Sequence, residues 1–130
     1  MALQVSAAIL VSDQKIFAAR RAPGRHLAGY WEFPGGKIEE SESPEQCLKR
    51  ELAEELAISA TIGPFLMKTK HRYATKIVEL HAYWVTDYSG NIQLKDHDEL
   101  TWLAVNDLNS VQWAPADEPI VEEIRRLLVQ

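Results

Sequence analysis

Glu51, Glu54 and Glu55 carry the strongest hint of chemistry in this sequence. On a helix they would stand at i, i+3 and i+4, so all three would share one face. Like charges so placed repel by roughly 0.2–0.5 kcal/mol per pair. A divalent cation is the natural means of offsetting that cost, because hard carboxylate oxygens suit Mg²⁺ or Mn²⁺. Mg²⁺ keeps several of its waters and bridges protein carboxylates to substrate phosphates. Arg50 can reach back to a neighbouring carboxylate and steady it. The same spacing also describes an ordinary solvated helix face, and the three residues alone do not separate the two readings. The break at Pro34-Gly35-Gly36 just upstream favours the first. Glycine lets a backbone approach a ligand closely and offer its peptide groups to a metal or a phosphate.

Several elements must hold these residues in place. The helix has a clear start: Ser43 as N-cap, Pro44 at the first helical position and Gln46 three residues after the cap. Leu48, Leu52 and Leu56 recur every four residues and give it a buried stripe. Before it, Leu3 to Val11 reads as a buried strand. Lys15 to Arg20 pairs with that strand through a turn at Ser12-Asp13-Gln14. Arg20 to Gly29 is a polar loop, and Trp31 to Phe33 is a short extended piece. After the helix, Ala60 to Lys70 and Ile77 to Thr86 are expected to be strands, with a turn at Tyr88 to Asn91 and a further strand over Leu100 to Val105. A closing helix from about Glu118 to Val129 carries Ile120, Val121, Ile124, Leu127 and Leu128 on its apolar face. This order predicts an α/β fold, a mixed sheet packed between helices, in one domain over residues 1–130.

The bulk properties narrow the function. The chain has 130 residues, 46% of them hydrophobic and 25% charged, which is ordinary globular composition. No apolar run approaches the roughly 20 residues that span a bilayer. The start, Met1 to Asp13, reads as a first strand and not as a signal peptide. Cys47 is the only cysteine, which fits a reducing cytosol and a cytoplasmic protein. The net charge of −5 argues against a stable nucleic-acid partner, since proteins that track phosphate backbones carry a basic face. A small anionic substrate is still possible if metal ions lie between it and the protein.

Gly36, five residues, Glu42, seven residues, Arg50-Glu51, Leu52, one residue, Glu54-Glu55, one residue, Ala57 and Ile58 resembles the Nudix box. Every position agrees except Ala57, where the box has Gly. An alanine that ends the helix in the left-handed conformation costs on the order of 1 kcal/mol, without moving a carboxylate. The likeness extends to Arg20-Arg21-Ala22, to Trp31 through Glu39 and to Ala114 through Pro119, and it resembles the MutT-type branch, the 8-oxo-dGTP and CTP pyrophosphohydrolases.

That resemblance implies a Mg²⁺-dependent hydrolase, with Mn²⁺ as a possible substitute, that splits a nucleoside triphosphate into monophosphate and pyrophosphate. It implies metal ligation by Glu51, Glu54, Glu55 and the backbone of Gly36, with Glu54 or Glu55 as general base. Glu99, or Asp98 beside it, is implied as a further ligand or base. Glu42 and Arg50 are implied as braces of the helix and its loop. Arg21 matches a phosphate-contacting position, with an exposed strand-end cation as the alternative, and His26, Lys37 and Lys76 are lesser candidates. Asp117 is implied at the base, where a carboxylate would accept from an exposed amino group. A helix N-cap is its alternative. Phe33 and Val78 line the base pocket or simply pack in the core. Other readings are a hydrolase of ADP-ribose or a dinucleotide, and a catalytically silent nucleotide sensor. The implied partner is a small nucleotide, with no membrane and a monomer or weak homodimer.

Overall fold

The computed structural model describes residues 2–128. The expected end of the closing helix at Val129 lies outside the described residues. Strands β1 (Ala2–Ser12) and β2 (Lys15–Arg21) form a hairpin. Asp13 and Gln14 both take left-handed backbone angles, φ 52° and 63°, which is the two-residue turn whose twist matches a hairpin. Two short strands follow, β3 (Trp31–Glu32) on β2 and β4 (Gly35–Lys37) on β1. Helix α1 (Pro44–Leu56) then crosses over. Strands β6 (Phe65–Arg72) and β7 (Ile77–Val85) form a second hairpin, and β7 lies parallel to β1 from Ala2 opposite Ile77 to Leu10 opposite Val85. β9 (His97–Ala104) runs antiparallel to β2. The sheet is therefore mixed, in the order β3-β2-β1-β7-β6 with β4 and β9 attached.

The sheet has a helix on each face. Leu48, Leu52 and Leu56 of α1 pack on Ala8, Leu10, Phe17 and Val85. On the other face Ile120, Val121 and Ile124 of α2 (Glu118–Leu128) pack on Ile9, Ile16, Leu80 and Ala82. The alternation of side chains along β1 sends Ile9 to one helix and Leu10 to the other. α1 begins as expected. The Ser43 hydroxyl accepts from Gln46 N, and the Gln46 side chain accepts from Ser43 N. Ser6 of β1 donates to the Pro44 carbonyl at 2.7 Å and fixes that end to the sheet. At the other end Ala57 is left-handed, φ 61° and ψ 33°, with its N–H on the Ala53 carbonyl.

Four expectations differ from the structure. The strand expected over Ala60 to Lys70 is broken at Gly63-Pro64 into β5 (Ser59–Thr61) and β6, because Pro64 has no N–H to continue a ladder. Tyr88 lies in β8 (Asp87–Ser89), which pairs with β5, and not in a turn. β9 begins at His97 rather than at Leu100. Leu127 and Leu128 are exposed, not part of the buried helix face. No helix among the described residues is long and apolar enough to cross a membrane.

Candidate active site

The glycine break and α1 meet at a single point. Glu51 rises from α1 so that its carboxylate covers Gly36, and a Cβ at Gly36 would run into that carboxylate. Only glycine leaves room for both. Burial raises the Glu51 pKa, and Arg50 opposes the shift. The Cys47 thiol, buried beneath the turn, lies 3.4 Å from the Gly36 carbonyl and 3.3 Å from that of Lys37. Arg50 ties the region together. It donates to Glu42 at 2.6 and 2.9 Å, to Glu51 at 2.8 Å, to Glu54 at 3.1 Å and to the Lys37 carbonyl at 3.2 Å. Glu42 also accepts from Glu39 N at 2.8 Å. Hydrogen bonds from Arg50 and the Glu39 backbone hold the Glu42 carboxyl down at about 2.

Glu55 points elsewhere. It lines an acidic pocket with Glu51, Gly36, Asp96, Arg25 and His97. Its carboxyl is pushed up to about 7, first by burial, then by hydrogen bonding with Asp96 and by repulsion from Asp96 and Glu51. Its Oε2 is buried and has no partner among the described residues. The chemistry of this donor set fits a hard divalent cation: three carboxyl groups, a glycine turn and one buried oxygen without a proton donor. The ligands are not lined up in advance. Among the described residues no three His, Cys, Asp or Glu side chains are arranged to hold a metal ion, and arginines occupy the acids instead.

Two expected site residues stand outside this pocket. Glu54 is 57% exposed and its carboxylate lies on Arg50, so the three helix glutamates do not converge as the spacing suggested. The cause is the competing cation within reach, Arg50 one turn away. Glu99 is 54% exposed and sits 3.4 Å from Arg20, which also holds Asp98 at 2.8 Å. Asp96 and His97 take the place expected for Glu99 and Asp98. The pairing of β9 with β2 slips at Arg20/Arg21, which sets His97 opposite Arg21 and Glu99 opposite Arg20. Such a slip changes which side chains face the pocket, and nothing in Asp96-His97-Asp98-Glu99 marks it.

A half-buried polar strut separates this pocket from a second cavity. Arg21 donates to both Glu32 oxygens at 3.0 and 3.1 Å and to the His26 carbonyl. His97, 8% exposed, lies 2.8 Å from Glu32 through Nε2. Glu32 and Arg21 line both cavities. The second cavity, about 220 Å³, is mostly apolar, with Val5, Phe33, Val78, Leu80, Tyr73 and Asp117 in its wall. Phe33 stacks on Trp113, centroids 4.6 Å apart. His26 and Lys37 reach its rim, as does Lys76, and the His26 ring meets Tyr73 edge-on at 5.2 Å.

Asp117 is buried, and its Oδ2 accepts from Phe33 N at 3.0 Å. Its side chain thus crosses to the residue just after β3 instead of capping α2. Only its backbone carbonyl serves the helix, accepting from Ile120 and Val121. Burial first, then repulsion from Glu32, raises the Asp117 pKa well above the ordinary carboxylate range. A protonated carboxyl both donates and accepts, as an amide does. Sequence reasoning missed Glu32, Arg25, Asp96, His97 and Tyr73. Glu32 was the most accessible of these: it adjoins Phe33 and the glycine turn, and a carboxylate there needs a partner such as Arg21.

Comparisons with known proteins agree with this geometry. The family model described as NUDIX domain matches residues 2–124. A CTP pyrophosphohydrolase of Escherichia coli (strain K12) is 40% identical over 125 residues, covering 96% of this chain and 93% of the relative. An 8-oxo-dGTP diphosphatase of the same organism is 33% identical over 126 residues, covering 96% of this chain and 98% of the relative. The solution structure of the E. coli ORF135 protein superposes with a TM-score of 0.88 at 39% identity, covering 98% of this chain and 91% of that one.

Proposed function

The chain belongs to the Nudix family, and from that premise we propose that it hydrolyses nucleoside triphosphates to a monophosphate and pyrophosphate, clearing oxidised or modified nucleotides such as 8-oxo-dGTP or CTP derivatives. The observation that carries the reading is the adjacency of two unlike cavities. One is acidic and suits a metal-bound polyphosphate. The other is apolar with one buried carboxyl and suits a base. Relatives named CTP pyrophosphohydrolase and 8-oxo-dGTP diphosphatase support this substrate class. The proposed location is the cytoplasm, a reading that the single cysteine supports. A monomer or a weak homodimer is the proposed state.

Mg²⁺, or Mn²⁺ in its place, would neutralise the phosphates and acidify a bound water. Glu51, Glu55, Asp96 and the Gly36 carbonyl would hold it, with Glu54 joining once Arg50 releases it. Glu55 is the proposed general base through its buried, unpartnered Oε2, which is free to accept a proton from water. Glu42 and Arg50 keep the glycine turn against α1. Arg21, fixed by Glu32, faces the junction of the cavities where the phosphates would meet the sugar. Asp117 reads the base edge, and the ring of Phe33 forms the wall beside it. Asp117→Asn is expected to move preference toward 8-oxoguanine nucleotides. An unchanged ranking of substrates removes Asp117 from base selection.

The test is incubation with Mg²⁺ and 8-oxo-dGTP, dGTP, CTP, 5-methyl-dCTP or ADP-ribose, with pyrophosphate and monophosphate measured. Pyrophosphate from a triphosphate is the expected result. AMP from ADP-ribose alone would reassign the enzyme, and no product from any compound would make it a nucleotide sensor.

A further inference from the structure

Arg25 has a side chain in the acidic pocket and no part in the reaction described above. It sits on the loop from Ala22 to Gly29, whose backbone is tied down. Arg25 N bonds the Ala22 carbonyl at 3.3 Å, Ala28 N bonds the Arg25 carbonyl at 3.1 Å, and Gly29 N bonds the Arg21 carbonyl at 3.0 Å. From this turn the guanidinium crosses to Asp96, Nη2 to Oδ1 2.9 Å, with the two side chains 54% and 46% exposed. Both residues line the pocket with Glu51 and Glu55.

An exposed pair of this kind contributes little stability and is easily broken. Its use here is electrostatic. Asp96 and Glu55 line the same pocket, and without a metal the guanidinium is the cation that offsets their repulsion. Arg50 does the same for Glu51 and Glu54. A metal–polyphosphate complex brings both missing charges together. The cation can replace the guanidinium on Asp96, and a phosphate oxygen can replace the carboxylate on Arg25, so no charge is left unpaired. A guanidinium fork suits phosphate oxygens as well as it suits a carboxylate. Arg21 is not free for this role, since Glu32 and the His26 carbonyl already hold it.

We propose that Arg25 is a polyphosphate-binding residue that rests on Asp96 in the ligand-free protein and transfers to the phosphate tail of the nucleotide when Asp96 turns to the metal. The proposal rests on the triphosphate hydrolase reading above. It also joins the two ends of the substrate, because His26, next on the same loop, packs on Tyr73 at the base cavity.

The exchange predicts effects of opposite sign in Arg25→Ala. Calorimetric titration of Mn²⁺ alone into ligand-free protein is expected to show affinity raised about threefold, because a competitor for Asp96 is gone. Binding of a non-hydrolysable nucleoside triphosphate with Mg²⁺ is expected to weaken about tenfold, the loss of one charged contact, and KM rises with it. Arg25→Lys recovers part of the second effect. Mn²⁺ affinity that is unchanged or lower in Arg25→Ala overturns the proposal, as does unchanged binding of the analogue. The Mn²⁺ measurement needs no turnover. Failure of the wild-type protein to release pyrophosphate from any triphosphate therefore sinks the hydrolase reading separately.

Discussion

Replacing Glu55 with Gln removes the one pocket carboxyl that is both raised to about 7 and left with an unpartnered oxygen. In the unfolded chain a glutamate titrates near about 4.3. Below that value the carboxyl is protonated in both states and costs nothing. As pH rises from there through 7, the unfolded chain gives up its proton while the folded protein holds on to it. The group therefore subtracts stability progressively, and most above 7. The full linkage, a difference of roughly 2.7 pH units at about 1.36 kcal/mol each, would come to about 3.7 kcal/mol. The pocket is open to solvent, so screening reduces this to about 1 kcal/mol. For a chain of this length that corresponds to a melting shift of roughly 3–5 °C. Glu55→Gln should accordingly melt higher than wild type by about that amount at pH 8.5 in the presence of a chelator, with no difference at pH 4.5. Differential scanning calorimetry at the two pH values decides it. A gain of equal size at both pH values, or a loss at pH 8.5, would refute the claim that an ionised Glu55 is strained in the metal-free protein. The same substitution should weaken Mn²⁺ binding. In the wild type that binding should fall as pH drops through 7, since the cation and the proton compete for one oxygen.

Gly36→Ala places a methyl group in the Glu51 carboxylate; turnover should fall by about 100-fold or more, while circular dichroism shows the fold retained, and near-normal turnover would mean the carboxylate does not sit there in the working enzyme. Asp96→Asn should lower kcat on the order of 100-fold and Glu99→Gln should change it by no more than about twofold, so steady-state assays that reverse this order would restore Glu99 to the site. Ala57→Gly relieves a left-handed alanine at the end of α1 and should stabilise the protein by about 0.5–1 kcal/mol in urea unfolding, without altering KM; no gain would mean the helix end relaxes freely.

Much of the frame was legible because its signals are local. Ser43, Pro44 and Gln46 marked the start of α1, and the spacing of Leu48, Leu52 and Leu56 marked its buried face. The packing of the sheet between helices followed from the order of strands and helices. The site was legible only in part. Gly36 and Glu51 are brought together by a glycine turn and a helix close in sequence. Glu55 and Asp96 lie on distant segments, and their meeting depends on how β9 registers against β2. That register slips beside Arg21, and a slip has no mark in residue types. The sequence also lists charges without pairing them. Glu54 and Arg50 are one turn apart, and their ion pair draws Glu54 from the pocket its spacing suggested. Asp117 shows the same limit: its position left a base contact and a helix cap both open, while the Phe33 N–H that receives its side chain is remote in sequence.

The central claim is that carboxylates on α1, the Gly36 backbone and Asp96 hold a cation beneath a polyphosphate. Crystals grown with Mn²⁺ and a non-hydrolysable nucleoside triphosphate test it by anomalous scattering. Peaks bounded by Glu51, Glu55, Asp96 and the Gly36 carbonyl, with the base in the cavity beside Asp117, are the expected result. A bound nucleotide with no anomalous peak among those groups would contradict it.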